Sequence, residues 1–519
     1  MKPNFRAPTD QKATEHPRKT LRLAFGVGLA AGLVWVVGAG SGGGVASAAS
    51  AAARAKPVPE APRVLPLRTE GQAVGGVAKG LELAPKAIAN WTIPAAEIDP
   101  RHAQEEGAAL VQHLEDGTAV ELTIDPALQR AAEDSLARYR VGWGAVVAIR
   151  PSTGEILALA EHAEGRPDLK HLALQSAAPA ASIFKIITAA ALMADGGLTP
   201  ESKTCTHGGA SKLTLYHLKP NARRDTKCET LAEALGSSNN TAFARWADQL
   251  LKPAQLEAMA RRFGFGARIP FMWQVGVSSA VIPSASRLGY VRSAAGFEGT
   301  TLSPLHAALI AGAIGNGGTV MAPQLVRRAT RPAEGDREVF QFHPTKWLEA
   351  VSPEVAAAVG TLMEATITSG TGRKFFEKKG VPRLGNVRVA GKSGTLSGHD
   401  DEAALRNYSW FVAYGRDGGE AAWEGGAADI AVAALIVEGE QWTVKGAVPV
   451  RDLLEAFFAR GKGGAPPARR APVARQLPVP VPVPVPAPDP VPAADPTPEP
   501  SPAPIPPARP GAAIPAIIH

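Results

Sequence analysis

Residues Ser182–Met193 read SIFKIITAAALM, and the reading of this run decides the fold. It is almost wholly apolar, which predicts a buried helix. Two polar residues open it, Ser182 and Lys185, three positions apart and so on one helical face. A serine hydroxyl is a poor nucleophile at neutral pH. A lysine kept partly neutral by desolvation can take its proton. The helix N-terminus adds backbone N–H groups and a positive dipole end where negative charge develops. The tetrapeptide Ser182-Ile183-Phe184-Lys185 therefore holds a candidate nucleophile and a candidate base. The bland alternative is a capping serine and a solvated lysine, and the apolar residues on both sides of Lys185 argue against it.

Composition narrows the function classes. The chain has 519 residues, a net charge of +7 and 20% charged residues. The excess positive charge is spread thinly, with part at the N-terminus and part at Arg469, Arg470 and Arg475. No basic stripe interleaved with aromatics appears, which argues against nucleic acid. Cys205 and Cys228 are the only cysteines. There is no C-x-x-C or H-E-x-x-H, and the histidines do not cluster, so neither a metal site nor a cofactor is expected. The two cysteines either stay free or pair across a loop of about 24 residues, which would contribute roughly 3 kcal/mol in the chain-entropy model.

Residues 1–22 are polar and carry Arg18, Lys19 and Arg22. Residues 23–40, LAFGVGLAAGLVWVVGAG, are uncharged and near the lower length limit of a spanning helix. Positive charge before such a segment keeps the N-terminus cytoplasmic and sends the rest across. Ala46-Ser47-Ala48 also offers a signal-peptide cleavage site. Two outcomes stay open, a single-pass anchor in the inner membrane or a cleaved signal sequence with release to the periplasm. Both put the body where disulfides are allowed.

Residues 41–62 read as a flexible tether, and 63–119 as a short lead-in segment of weak periodicity. Residues 120–460 form the body. Residues 461–519 collapse to Pro, Ala and Val, and VPVPVPVPAPDPVP predicts a polyproline or disordered tail. Within the body, VELTID (120–125) predicts a strand, PALQRAAEDSLARYR (126–140) a helix, and GAVVAIRPSTGEILALA (144–160) a hairpin. Helical patterns fill the middle. VRVAGKSGTL (387–396), YSWFVAYG (408–415) and DIAVAALIVEG (429–439) read as antiparallel strands, and AVPVRDLLEAFFAR (447–460) as a closing helix. The order predicts an α+β body, with one sheet built from both ends and a helical insert.

Two motifs follow the first in order. Ser238-Asn239-Asn240 lies 56 positions on (238 − 182), and Lys392-Ser393-Gly394-Thr395 a further 154 (392 − 238). S-x-x-K, S-x-N and K-T/S-G are the shared signature of β-lactamases and penicillin-binding proteins. VELTIDPALQRAAE (120–133), LSPLHAALIAGAIGNGG (302–318) and WFVAYG (410–415) add to it. Together these stretches resemble the transpeptidase domain of penicillin-binding proteins over about residues 120–460. The resemblance implies the serine D,D-peptidase fold, an antiparallel sheet flanked by helices plus an all-helical lobe, with the site between them. Two departures stand out. Ala180 and Ala181 follow Pro179 where the family often has Pro-Gly, and Gly296-Phe297-Glu298-Gly299 is one residue longer than the family's Gly-x-Gly turn. The region before Val120 is too short for the glycosyltransferase domain of bifunctional members.

Carried over residue by residue, the resemblance makes Ser182 the nucleophile and Lys185 its base. Ser238 would relay a proton between Lys185 and the leaving amine. Asn240 would hold substrate backbone, although Ser237-Ser238-Asn239 is also S-x-N and SSNN also suits a helix cap. Lys392 would bind the substrate's terminal carboxylate with help from Ser393. Gly394 would let substrate backbone lie along the strand. The N–H groups of Ser182 and Thr395 would form an oxyanion hole. Ser369-Gly370-Thr371-Gly372 reads as a structural loop. The implied activity is peptidoglycan D,D-transpeptidation on D-Ala-D-Ala stem peptides, with β-lactams as acylating inhibitors. A D,D-carboxypeptidase and a β-lactamase share the motifs, although no E-x-x-L-N or Y-G-N stands between S-x-N and K-S-G. From another class, a non-catalytic sensor or wall scaffold stays in view.

Overall fold

Ile430–Glu438 is buried at every position, the pattern of a central strand covered on both faces. It lies in the middle of a five-stranded antiparallel sheet. The order is Arg388–His399, Leu405–Arg416, Ile430–Glu438, Trp143–Ile149, Ile156–Ala163. C-terminal strands thus lie beside the N-terminal hairpin, and the sheet is built from both ends of the body. The structure is a computed structural model describing residues 92–460 apart from 165, 167–168, 400–403 and 420–425. The expected segments at 1–22, 23–40, 41–62 and 461–519, and the first part of 63–119, lie outside the described residues. Among the described residues no helix is long and apolar enough to cross a membrane.

Alternation along the central strand divides the core. Ala431, Ala433, Leu435 and Val437 face one cluster, and Ile430, Val432, Ala434 and Ile436 the other. Helices Pro126–Arg138 and Ala447–Arg460 cover the second face. On the first face lies Pro304–Gly315, a helix buried from Pro304 to Ile314. Its apolar character all round is what a core helix requires. A Cβ on Gly312 would meet Ile149 Cδ1 at 2.9 Å, so glycine there lets helix and sheet approach closely. The Lys185–Ala194 helix packs against Asn240–Leu250 and Pro253–Arg262, and with Leu231–Gly236 and Arg287–Ala294 these make up the helical lobe.

A second sheet departs from expectation. Only Ala119–Leu122 of the VELTID region is a strand, and it does not join the main sheet. It belongs to a five-stranded sheet ordered Gln104–Glu106, Ala109–His113, Ala119–Leu122, Val326–Arg331, Arg337–Gln341. The boundary expected between residues 119 and 120 falls inside this sheet. The lead-in strands carry no readable alternation because they are short and largely exposed, Gln104–Glu106 at all three positions. Ion pairs tie the sheet together, with Glu121 bridging Arg327 and Arg328.

Strands Lys203–Thr206 and Lys227–Thr230 pair so that Cys205 faces Cys228, Cα atoms 3.9 Å apart and joined by a disulfide. The excursion between them is pinned from beneath by Arg245, a buried residue that sequence reading did not single out. Arg245 donates to the carbonyls of Cys205, His217 and Lys219 and forms a bidentate pair with Asp225. That guanidinium holds the Asp225 carboxyl far below the usual carboxylate range, against the opposing effect of burial.

Candidate active site

The Ser182 helix opens as a 3-10 turn, Ala181–Phe184, before turning α-helical at Lys185. Residues three apart eclipse in a 3-10 turn. Ser182 Oγ and Lys185 Nζ accordingly lie 2.8 Å apart. The turn is entered through Ala181 at φ +49°, a left-handed conformation that costs a non-glycine roughly 1–2 kcal/mol. This is the position where the family often carries glycine. Gly296, at φ +80°, packs against it, and a Cβ there would lie 2.2 Å from the Ala181 carbonyl oxygen. The longer Gly296–Gly299 turn thus seats directly on the Ser182 turn.

Lys185 is fully buried. Its Nζ lies 2.6 Å from Asn240 Oδ1 and 2.5 Å from the Ala295 carbonyl, besides the contact to Ser182. Burial, and then the charge of Lys392, pushes its pKa well below the ordinary lysine value. As an ammonium, Nζ has three N–H donors for these three oxygens, Ser182 Oγ among them; as a neutral amine the count differs. Neutral Nζ has two N–H donors and one lone pair. The Asn240 and Ala295 oxygens can only accept, so they take both donors. The lone pair is left for the Ser182 hydroxyl, which then donates to Nζ. This is the state from which Ser182 can be deprotonated.

Ser238 stands between helices Leu231–Gly236 and Asn240–Leu250 at φ +58°. Its hydroxyl accepts from Lys392 Nζ at 3.0 Å, not from Lys185. The reason is local, since Lys185 already has its acceptors. Lys392 is also fully buried, donates to the Ser393 carbonyl at 2.7 Å, and is pulled by desolvation to a pKa of about 7. Asn240 is engaged at both ends, its Nδ2 donating to the Ala210 carbonyl at 2.6 Å. It therefore positions Lys185 with its oxygen, and its Nδ2 uses one of its two N–H groups on Ala210. The frame question has a geometric answer. Asn239 caps its helix by accepting from the Ala242 N–H at 3.0 Å and donates to Glu229. Ser237 meets only Lys227. Ser238 and Asn240 are the pair that faces the lysines.

Lys392-Ser393-Gly394-Thr395 lies on the edge strand Arg388–His399, whose only strand partner among the described residues is Leu405–Arg416. A Cβ on Gly394 would lie 3.2 Å from Ile183 Cγ1 and 3.1 Å from Trp410 Cβ, so glycine keeps the strand against the Ser182 turn. The Trp410 indole N–H donates to the Pro179 carbonyl at 2.8 Å and fixes the approach to that turn. Thr395 is exposed on the same edge. Ser393 Oγ lies 2.7 Å from Thr371 Oγ1. Thr371 N–H in turn donates to the Gly236 carbonyl at 3.0 Å. The Ser369–Gly372 loop, read as structural, therefore reaches the site through a hydroxyl and joins the strand edge to the helix before Ser238. Among the described residues no group of three His, Cys, Asp or Glu side chains is placed to hold a metal ion.

A Ser–Lys pair with the lysine fully buried thus lies beside the edge of an antiparallel sheet. The family described as penicillin binding protein transpeptidase domain matches residues 144–423, more than half of the chain, and the chain belongs to it. It is 30% identical over 331 residues to the peptidoglycan D,D-transpeptidase PbpA of Mycobacterium tuberculosis strain H37Rv, covering 57% of this chain and 64% of that protein. The chain thus spans somewhat under two thirds of that relative's length. The crystal structure of PBPA from M. tuberculosis superposes with a TM-score of 0.52 at 27% identity, over 64% of this chain and 81% of that one. The imipenem acyl-enzyme complex of penicillin-binding protein A from M. tuberculosis gives 0.51 at 27% identity, over 65% and 79%.

Proposed function

We propose that the chain is a serine-type peptidoglycan D,D-transpeptidase. The observation that carries this reading is the fully buried Lys185, with Ser182 as its third polar neighbour and two pure acceptors fixing its N–H groups. Ser182 Oγ attacks the carbonyl of the penultimate D-Ala of a stem peptide, and its proton passes to Lys185 Nζ. The N–H groups of Ser182 and Thr395 receive the oxyanion. Collapse breaks the peptide bond, and terminal D-Ala leaves as an amine carrying a proton supplied through Lys185 or Ser238. An amine of a neighbouring stem then attacks the Ser182 ester, returns a proton to Ser182 and completes a cross-link. Water in place of that amine would make the protein a D,D-carboxypeptidase.

Lys392 supplies positive charge for the substrate's terminal carboxylate, with Ser393 and Thr371 hydroxyls beside it. The free edge of Arg388–His399 accepts the donor peptide as an added strand. β-Lactams imitate the D-Ala-D-Ala end and acylate the same serine, a reading supported by the acyl-enzyme complex of the M. tuberculosis relative. Residues 23–40 act as inner-membrane anchor or signal sequence, with the body in the periplasm. Labelling with fluorescent penicillin tests the reading. Wild-type protein should carry the label, and Ser182→Ala should lose it while keeping the fold. A β-lactamase would release the label within seconds, and a non-catalytic wall scaffold would never take it.

A further inference from the structure

The excursion between Cys205 and Cys228 is not part of the acyl-transfer chemistry, yet both of its ends touch the Ser237–Thr241 stretch that carries Ser238 and Asn240. Near one end the Ala210 carbonyl accepts from Asn240 Nδ2, and the Gly208 carbonyl accepts from Thr241 Oγ1 at 2.9 Å. Near the other end Lys227 Nζ donates to Ser237 Oγ at 3.3 Å. The excursion therefore packs on the helical side of the site, against the stretch whose Ser238 meets Lys392 of the edge strand.

Its charge is one-sided. Between the two cysteines stand Lys212, Lys219, Arg223, Arg224 and Lys227, against a single acid, Asp225. Asp225 is consumed from within by Arg245 and His207. Lys227 is paired with Glu229. The other four cations are exposed, and none is in a salt bridge among the described residues. Between them lie two exposed apolar side chains, Leu215 and Tyr216, at 47% and 48% exposure. Arg224 is held against Tyr216, bonding its hydroxyl and lying 5.5 Å from its ring centre. The disulfide and Arg245 fix this surface before any partner arrives, which lowers the ordering cost of binding.

We propose that this excursion is a docking surface for the acceptor strand, a glycopeptide bearing free stem carboxylates. The inference rests on the transpeptidase reading and deepens it. Charge complementarity selects an anionic partner. An aromatic and an aliphatic side chain among the cations suit a sugar–peptide polymer, which offers apolar faces as well as carboxylates. The direct bonds to the Ser237–Thr241 stretch place that partner next to the site, on the helical side, away from a donor lying along the sheet edge. A membrane surface rich in anionic lipid would meet the same charges, but nothing in those bonds serves it.

The test uses the full-length protein in detergent and isolated un-cross-linked peptidoglycan strands, with stem carboxylates free or amidated. Wild type should bind the free-carboxylate strands in a salt-sensitive way and the amidated strands more weakly. Lys212→Glu/Lys219→Glu/Arg223→Glu should weaken strand binding roughly tenfold, from three surface ion pairs of ordinary strength. The milder Lys212→Gln/Lys219→Gln/Arg223→Gln should do so in part. Penicillin acylation of both variants should stay within about twofold of wild type, because these side chains lie outside the acylation chemistry. Equal binding of free and amidated strands, or unchanged binding by the charge-reversed variant, overturns the proposal. So does a loss confined to vesicles of phosphatidylglycerol. Failure of wild type to be acylated at all strikes the transpeptidase reading instead, and strand binding is read independently of it.

Discussion

Lys185 and Lys392 are both fully buried, and the charge of Lys392 lowers the pKa of Lys185. Two buried ammonium groups this close oppose each other, so the charged state of one favours the neutral state of the other. The site separates their duties accordingly. On the proposed reading Lys392 serves the carboxylate, while Lys185, its pKa lowered first by burial and then by Lys392, takes the proton.

The pH dependence of acylation follows. Lys392 has a pKa of about 7, so it is charged below that value and neutral above it. Second-order acylation by a penicillin with a free carboxylate should fall as pH rises through about 7, because the free enzyme's ionisation sets that limb. A carboxylate-masked ester should lack the limb. Stopped-flow acylation across pH with both ligands checks this, and identical profiles would remove Lys392 from carboxylate binding.

The two lysines should also fail differently. Lys185→Ala removes the base, so acylation should drop about 100-fold or more even at saturating ligand. Lys392→Ala should act mainly on carboxylate-bearing ligands and far less on carboxylate-free ones. Equal losses for both ligand types with Lys392→Ala would contradict the assignment.

Burying Lys392 should weaken the fold at neutral pH. Its folded pKa is depressed, so between about 7 and about 10 the unfolded chain binds the extra proton and stability rises with pH. Lys392→Met should therefore stabilise the protein by about 1–4 kcal/mol at neutral pH, with an advantage that shrinks toward pH ~10. Denaturant melts at both pH values measure it. An advantage that grows with pH would reverse the sign of the argument.

Gly296→Ala should disturb the base through the backbone. The new Cβ would meet the Ala181 carbonyl oxygen at 2.2 Å, and a left-handed alanine adds roughly 1–2 kcal/mol of strain. Moving this turn moves the Ala295 carbonyl off Lys185. Loss of both thermal stability and acylation rate is expected, and wild-type acylation would show that the Ala295 contact is dispensable. Thr371→Val tests the hydroxyl contact to Ser393 more gently. It should reduce affinity for carboxylate ligands several-fold, and Thr371→Ser should restore it.

The sequence exposed those parts of the site that side chains carry. Ser182 and Lys185 were legible because residues three apart share a helical face, and the 3-10 turn brings them closer still. Lys392-Ser393-Gly394 was legible as a strand motif, and residues 430–437 as a continuous apolar run. The carbonyls of Ala295 and Ala210 were not legible, because a backbone acceptor leaves no trace in residue type. Only Gly296, noted as one end of an overlong turn, hinted at the first. Ser238 is expected to relay a proton between Lys185 and the leaving amine; its hydroxyl bond to Lys392 was not legible, since pairing around two buried lysines depends on acceptors the sequence does not place. The second sheet escaped for another reason. Exposed strands such as Gln104–Glu106 have no buried face to impose alternation.

The most direct test of the central claim is the site and lifetime of a penicillin adduct. Full-length protein is incubated with benzylpenicillin, digested, and the modified peptide sequenced by mass spectrometry over a time course. The account predicts one stable acyl group on Ser182, persisting from minutes to hours, and none on Ser182→Ala. An adduct on another residue, or no adduct on folded wild-type protein, would contradict it.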